Sequence, residues 1–108
     1  GTQRMTEELM RMMMKVSIPV EAGNKGVADG TLPKTVMGFM ERFKPEAAYF
    51  VAEGGRRTGI FFFDLADPTD IPAAAEEFFA NLNAAIELTP AMNAADLKAG
   101  VEKAMKGR

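Results

Sequence analysis

Residues 46–65 read EAAYFVAEGGRRTGIFFFDL, two runs rich in aromatic and β-branched residues on either side of Gly54-Gly55. A Gly-Gly pair accepts the positive backbone angles that a two-residue hairpin turn requires. The stretch therefore predicts two strands, Ala47 to Ala52 and Arg57 to Leu65, folded back on each other. With the glycines at the turn, Glu53 faces Arg56, Val51 faces Thr58, Tyr49 faces Ile60 and Ala47 faces Phe62. On the other face Ala52 meets Arg57, Phe50 meets Gly59 and Ala48 meets Phe61. This register places opposite charges across from each other and an aromatic ring over a strand glycine.

The flanking segments fall into place around the hairpin. Met10 to Ile18 alternates, with Met10, Met12, Met14, Val16 and Ile18 on one face and Arg11, Met13, Lys15 and Ser17 on the other. Period-two patterning predicts a strand, ended by Pro19. Residues 21–30 contain Gly23, Gly26 and Gly30, which predict at most a weak helix. From Thr31 the apolar residues Leu32, Val36, Phe39, Met40 and Phe43 recur at helical spacing. Thr31 is placed to cap that helix, Pro33 suits its first turn, and Pro45 stops it. Asp67-Pro68-Thr69-Asp70 is a helix-start cluster, followed by Ile71, Ala75, Phe78, Phe79 and Leu82. Ala84 to Thr89 reads as a short last strand closed by Pro90. A final helix opens at Asn93, with Asp96 three residues on. It carries the apolar stripe Leu97, Val101 and Met105 and ends between Ala104 and Lys106.

The order strand, helix, strand, strand, helix, strand is that of a split βαβ, ferredoxin-like α+β domain with an antiparallel sheet. One domain is expected over residues 1–108, with its core at about 10–91 and the extra C-terminal helix at about 93–106. Helices on one side of such a sheet leave the other side open. The face with Met10, Met12, Met14, Val16, Phe50, Gly59, Phe61, Phe63 and Leu65 is almost purely apolar and is assigned to the helices. The opposite face collects Arg11, Met13, Lys15, Ser17, Tyr49, Val51, Thr58, Ile60, Phe62, Asp64, Glu87 and Thr89. Tyr49, Val51, Ile60 and Phe62 form a patch there that a lone subunit leaves wet, the mark of an interface or ligand surface.

Composition excludes much chemistry. The 108 residues include no His, no Cys and no Trp. Disulfides, thiolate nucleophiles, histidine bases and the usual zinc or haem ligands are therefore absent. No acidic run has calcium-loop spacing, so no metal and no cofactor is expected. A formal net charge of −2 argues against a broad nucleic-acid-binding surface. RRTGIFFFD does not follow the aromatic order of an RNA-recognition strand. Arg56-Arg57 beside two glycines, with no helix following, reads as a charged hairpin tip and not a phosphate loop. The methionines of the first strand alternate with polar residues and read as core filling. No apolar run nears the ~20 residues that span a bilayer. GTQRMTEEL has no apolar signal-peptide core, so the expected location is cytoplasmic. Gly1 reads as a residue left by tag cleavage, with native numbering expected from about Thr2.

Over about Met10 to Ala91 the pattern resembles small bacterial proteins of the dimeric α/β-barrel superfamily, including short members without a defined activity. The resemblance lies in the element order and the half-apolar sheet face. It implies two ferredoxin-like subunits packed sheet against sheet as a homodimer. The superfamily includes cofactor-independent monooxygenases, muconolactone-type isomerases, aldoxime dehydratases and haem-dependent chlorite dismutases. No motif of theirs is found here, and the haem enzymes' axial histidine has no counterpart. The expected function is therefore binding of a small, partly apolar or aromatic ligand in a cavity between subunits, or a purely structural dimer. Lys15, Tyr49, Thr58, Phe62 and Asp64 are the expected lining. Tyr49 and Phe62 would give apolar walls, Thr58 a hydrogen bond, and Lys15 with Asp64 the charged ends. The alternative is a cofactor-independent enzyme acting on an aromatic or enol substrate, with Asp64 or Glu87 as base.

Overall fold

The computed structural model describes residues 9–107. The expectation for Gly1 and Thr2 lies outside the described residues. The chain runs β1 (Met10–Ile18), α1 (Val20–Asp29), α2 (Thr31–Phe43), β2 (Ala47–Glu53) and β3 (Arg56–Leu65). A single 3-10 turn (Pro68–Asp70) follows, then α3 (Ile71–Leu82), β4 (Ala85–Pro90) and α4 (Ala94–Lys106). The four strands form one antiparallel sheet in the order β2-β3-β1-β4. The connections from β1 to β2 and from β3 to β4 each skip one strand, the split βαβ pattern.

The hairpin register is the one that the Gly-Gly turn dictates, from Glu53 opposite Arg56 to Ala47 opposite Phe62. Gly54 and Gly55 have φ of 60° and 76°, so both occupy the left-handed region that a type I′ turn needs. Gly59 is covered mainly by Phe61 of its own strand, whose ring lies 2.9 Å from where a Cβ would stand. Phe50 meets the edge of that same ring at 5.7 Å between centroids.

The core lies between the sheet and α1–α3. Met12, Met14, Val16, Ile18, Phe61, Phe63 and Leu65 supply the sheet side, and Phe39, Ala74, Phe78 and Leu82 the helix side. Phe39 is the hub. Its ring centroid is 4.9 Å from Phe61, 5.3 Å from Phe63, 5.6 Å from Phe78 and 5.1 Å from Phe43. Tilted and edge-on rings at these separations add electrostatic preference to area burial. Helix ends follow local chemistry. Lys44 closes α2 in the left-handed region before Pro45. Asn83 does the same for α3, where the Asn83 and Ala84 N–H groups bond the Phe79 and Phe78 carbonyls.

Four expectations are corrected. The glycine-rich segment is a full helix, because Gly23 and Gly26 are buried packing positions. A Cβ on Gly23 would stand 2.8 Å from an Arg57 guanidinium nitrogen, and one on Gly26 would stand 2.9 Å from Leu82. Tertiary contact thus outweighs low helix propensity. Thr31 is not the cap of α2. Gly30 occupies that position, and the Asp29 carboxylate accepts the Thr31 N–H at 2.9 Å. Pro90 ends β4 inside the ladder, where an edge strand tolerates a missing donor. Phe50 and Met10 share the helix-facing side of the sheet but are 59% and 54% exposed. The helices cover the central strands and stop short of the β2 edge and the start of β1.

Candidate functional site

The sheet face turned away from the helices is open, and its map follows from the strand registers. Three rows cross it: Thr89, Met13, Phe62, Ala47; then Glu87, Lys15, Ile60, Tyr49; then Ala85, Ser17, Thr58, Val51. Neighbours in a row sit on adjacent strands, ~5 Å apart. Ile60 is the centre. Lys15 and Tyr49 flank it within its row, and Phe62 and Thr58 stand in the rows on either side. Asp64 lies one further position along β3, opposite Arg11. Four of the five expected lining residues thus surround Ile60, and Asp64 marks the end of the patch.

Two ion pairs frame this patch. Arg11 and Lys15 both project from β1 across β3 toward β2. Arg11 donates from Nε to Glu46 at 3.0 Å, just before β2 begins. Lys15 donates from Nζ to Glu53 at the other end of β2. By register, the Lys15 strap crosses β3 above Thr58, which is only 4% exposed. The Thr58 hydroxyl donates to the Arg56 carbonyl at 3.1 Å, so it is turned toward its own strand. Between the straps lie Met13, Ile60, Phe62, Tyr49 and Val51. Tyr49 is 61% and Val51 43% exposed.

The electrostatics follow from these contacts. The hydrogen bond to Glu53 raises the Lys15 pKa, and the charges of Glu53 and of Glu87 across the ladder add to that rise. Arg11 is held by Asp96 at 2.6 Å as well as by Glu46, and both raise its pKa. Arg11 and Lys15 are thus engaged by Glu46, Asp96 and Glu53 and not by Asp64. Asp64 is exposed and makes no ion pair or hydrogen bond among the described residues. Glu46, Glu53 and Asp96 are the members of the site that sequence reasoning missed. Glu46 and Glu53 bracket β2, and the signal that could have found them is a diagonal reach by the long basic side chains of β1.

A second concavity of about 510 Å3 lies on the helix layer, between α2 and α3. Phe39, Phe43 and Phe78 form its floor and Lys34, Arg42 and Glu77 its rim. Its width comes from small residues on the facing helices, Gly38 on α2 and Ala73 and Ala74 on α3. Asn81 bridges it, donating to the Thr35 hydroxyl at 3.2 Å and to the Glu77 carboxylate at 3.0 Å.

Chemically, the open face offers a flat apolar platform with a phenol, two exposed carboxylates and two neutralised cations at its margin. Among the described residues, no group of three or more potential ligands could hold a metal ion. No described helix is long and apolar enough to cross a membrane. No protein-family model, no curated protein and no solved structure matches the chain. What the structure shows is a small α+β domain with a four-stranded antiparallel sheet.

Proposed function

We propose that this chain is a ferredoxin-like module that packs two open sheet faces together as a homodimer and holds a small, partly apolar ligand between them. One observation carries the reading: an apolar window of Met13, Tyr49, Val51, Ile60 and Phe62, framed by two ion-pair straps, in which Tyr49 and Val51 are exposed and Met13, Ile60 and Phe62 half-buried. Burying a large apolar side chain of this kind contributes about 1.5–3 kcal/mol. A face-to-face two-fold contact buries each such residue on both copies at once. Tyr49, Asp64 and Glu87 at the margin supply the polar anchors that orient a ligand in an otherwise apolar pocket.

Sedimentation velocity at micromolar concentration tests the association. The wild-type chain is expected as a dimer. Ile60→Lys puts an unpaired charge in the middle of the contact, at a cost of about 3–5 kcal/mol. That weakens the dimer about 100-fold or more. Tyr49 is the only tyrosine and there is no tryptophan, so intrinsic fluorescence reports on this face alone. Native mass spectrometry of the dimer reads any retained small molecule. A wild-type monomer at these concentrations would refute the proposal.

A further inference from the structure

The groove between α2 and α3 joins an aromatic floor to uncompensated positive charge. Lys34, Gly38 and Arg42 stand four residues apart, so they share one stripe of α2, and that stripe lines the groove. Gly38 leaves the middle of the stripe open, since a Cβ there would meet nothing. Beneath it Phe39 and Phe78 are buried with ring centroids 5.6 Å apart, and half-buried Phe43 stacks on Phe39 at 5.1 Å. The volume of about 510 Å3 is in the range of small-molecule sites.

α2 and α3 run antiparallel, because Asn81 bonds Thr35 while Phe78 meets Phe39. Ala73 and Ala74 therefore stand at the Arg42 end of the groove, and Asn81 stands at the Lys34 end. Glu77 is the one carboxylate in the lining among the described residues. Asn81 donates to it at 3.0 Å, which draws it toward the Lys34 end. The Arg42 guanidinium lies 5.7 Å from the Phe43 ring centroid and makes no ion pair or hydrogen bond among the described residues. It is a planar cation at the edge of an aromatic floor, with small apolar residues across from it.

We propose that this groove binds a small carboxylate with an aromatic body. Charge complementarity selects the anion: two cations and one carboxylate line the groove, and that carboxylate is held away from Arg42. The ligand's carboxylate takes the Arg42 fork in two parallel N–H···O bonds, a match that a neutral group does not make. Its ring lies against Phe43 and Phe39, in the gap left by Gly38, Ala73 and Ala74. Aromatic contacts there add to the area buried. The groove is on the helix side of the sheet, so it stays open when two sheet faces pack. It depends neither on the dimer nor on the ligand proposed above.

Amide NMR of the 15N-labelled full chain tests this, with phenylpropionate and its neutral counterpart phenylpropionamide as probes. Shifts centred on Gly38, Phe39, Arg42, Phe43 and Ala73 are expected, with the amide bound about 10-fold more weakly. Arg42 is exposed, so Arg42→Gln leaves the fold intact. It is expected to lower phenylpropionate affinity to that of the amide and to leave the amide unchanged. Gly38→Leu fills the gap and is expected to abolish binding of both probes, with an unchanged far-UV spectrum. Equal affinity for acid and amide, or undiminished binding to either variant, overturns the proposal. So does the absence of any shift at millimolar probe. Shifts confined to strand amides around Ile60 overturn this site and support a ligand on the sheet face instead.

Discussion

Gly26 and Gly38 provide a matched pair for testing the packing. Both lie inside helices with ordinary helical backbone, and both can be changed to alanine. The helix-propensity gain is the same at each, about 1 kcal/mol. Their surroundings differ. A Cβ on Gly26 would stand 2.9 Å from Leu82 Cδ2, 3.1 Å from Leu32 Cβ and 3.3 Å from the Leu32 backbone nitrogen. Leu82 is 0% exposed, and the two Leu32 atoms are held by the backbone of α2, so relief requires moving α1 as a body. Overpacking of this kind costs about 1–3 kcal/mol. A Cβ on Gly38 would meet nothing, because it points into the groove between α2 and α3. Gly38→Ala should therefore stabilise, and Gly26→Ala should be neutral to destabilising. The propensity terms cancel in the comparison, leaving a gap of about 1–3 kcal/mol that belongs to the clash. At about 4–8 °C per kcal/mol for a domain of this size, thermal melts resolve it easily. Both variants must be melted at one protein concentration, since association adds stability by mass action. Equal stabilisation by both would refute the close approach of α1 to Leu82. Destabilisation by Gly38→Ala would show that the groove is filled and not open.

Two further outcomes follow from the polar contacts. The Asn93 backbone N–H and the Arg11 guanidinium hold the Asp96 carboxyl below the usual carboxylate range. Since the folded value lies below the unfolded one, this anchor of α4 is complete at neutral pH and is lost as pH falls through the depressed folded value. Amide signals of α4 should show that acid step, and Asp96→Asn should abolish it; an identical acid titration in the variant would refute the anchor. Asn81→Ala removes the bridge from α3 to the Thr35 hydroxyl and the Glu77 carboxylate, and should cost about 0.5–1.5 kcal/mol in urea denaturation. The Thr35 hydroxyl keeps its bond to the Thr31 carbonyl at 2.7 Å, so no buried group is orphaned. An unchanged midpoint would mean that apolar packing alone joins α2 to α3.

The candidate site was legible where it depends on a sheet register. Tyr49, Ile60 and Lys15 share a row because the Gly54-Gly55 turn fixes the hairpin and the alternation of Met10 to Ile18 fixes which β1 side chains join it. It was not legible where long side chains choose among partners. Arg11 and Lys15 face Asp64 and Ile60 by register, yet they bond Glu46, Asp96 and Glu53. A five-bond side chain reaches past its ladder neighbour, and the partner it takes depends on where the ends of β2 and α4 stand in space.

Local chemistry written in the sequence determined the elements of this protein: two strands around a Gly-Gly turn, a strand by alternation, a helix stopped at Pro45, and a capping box at Asn93. These depend on neighbours within a few residues, so the chain encodes them directly. The tertiary structure decided what a short window does not contain. It made a helix of 20–29 by seating Gly23 and Gly26 against Arg57 and Leu82. It left Phe50 beyond the reach of the helix layer, and it left the residues of α4 exposed. Burial is a property of the surfaces that meet in three dimensions, and no periodicity within one segment specifies which surface arrives to cover it.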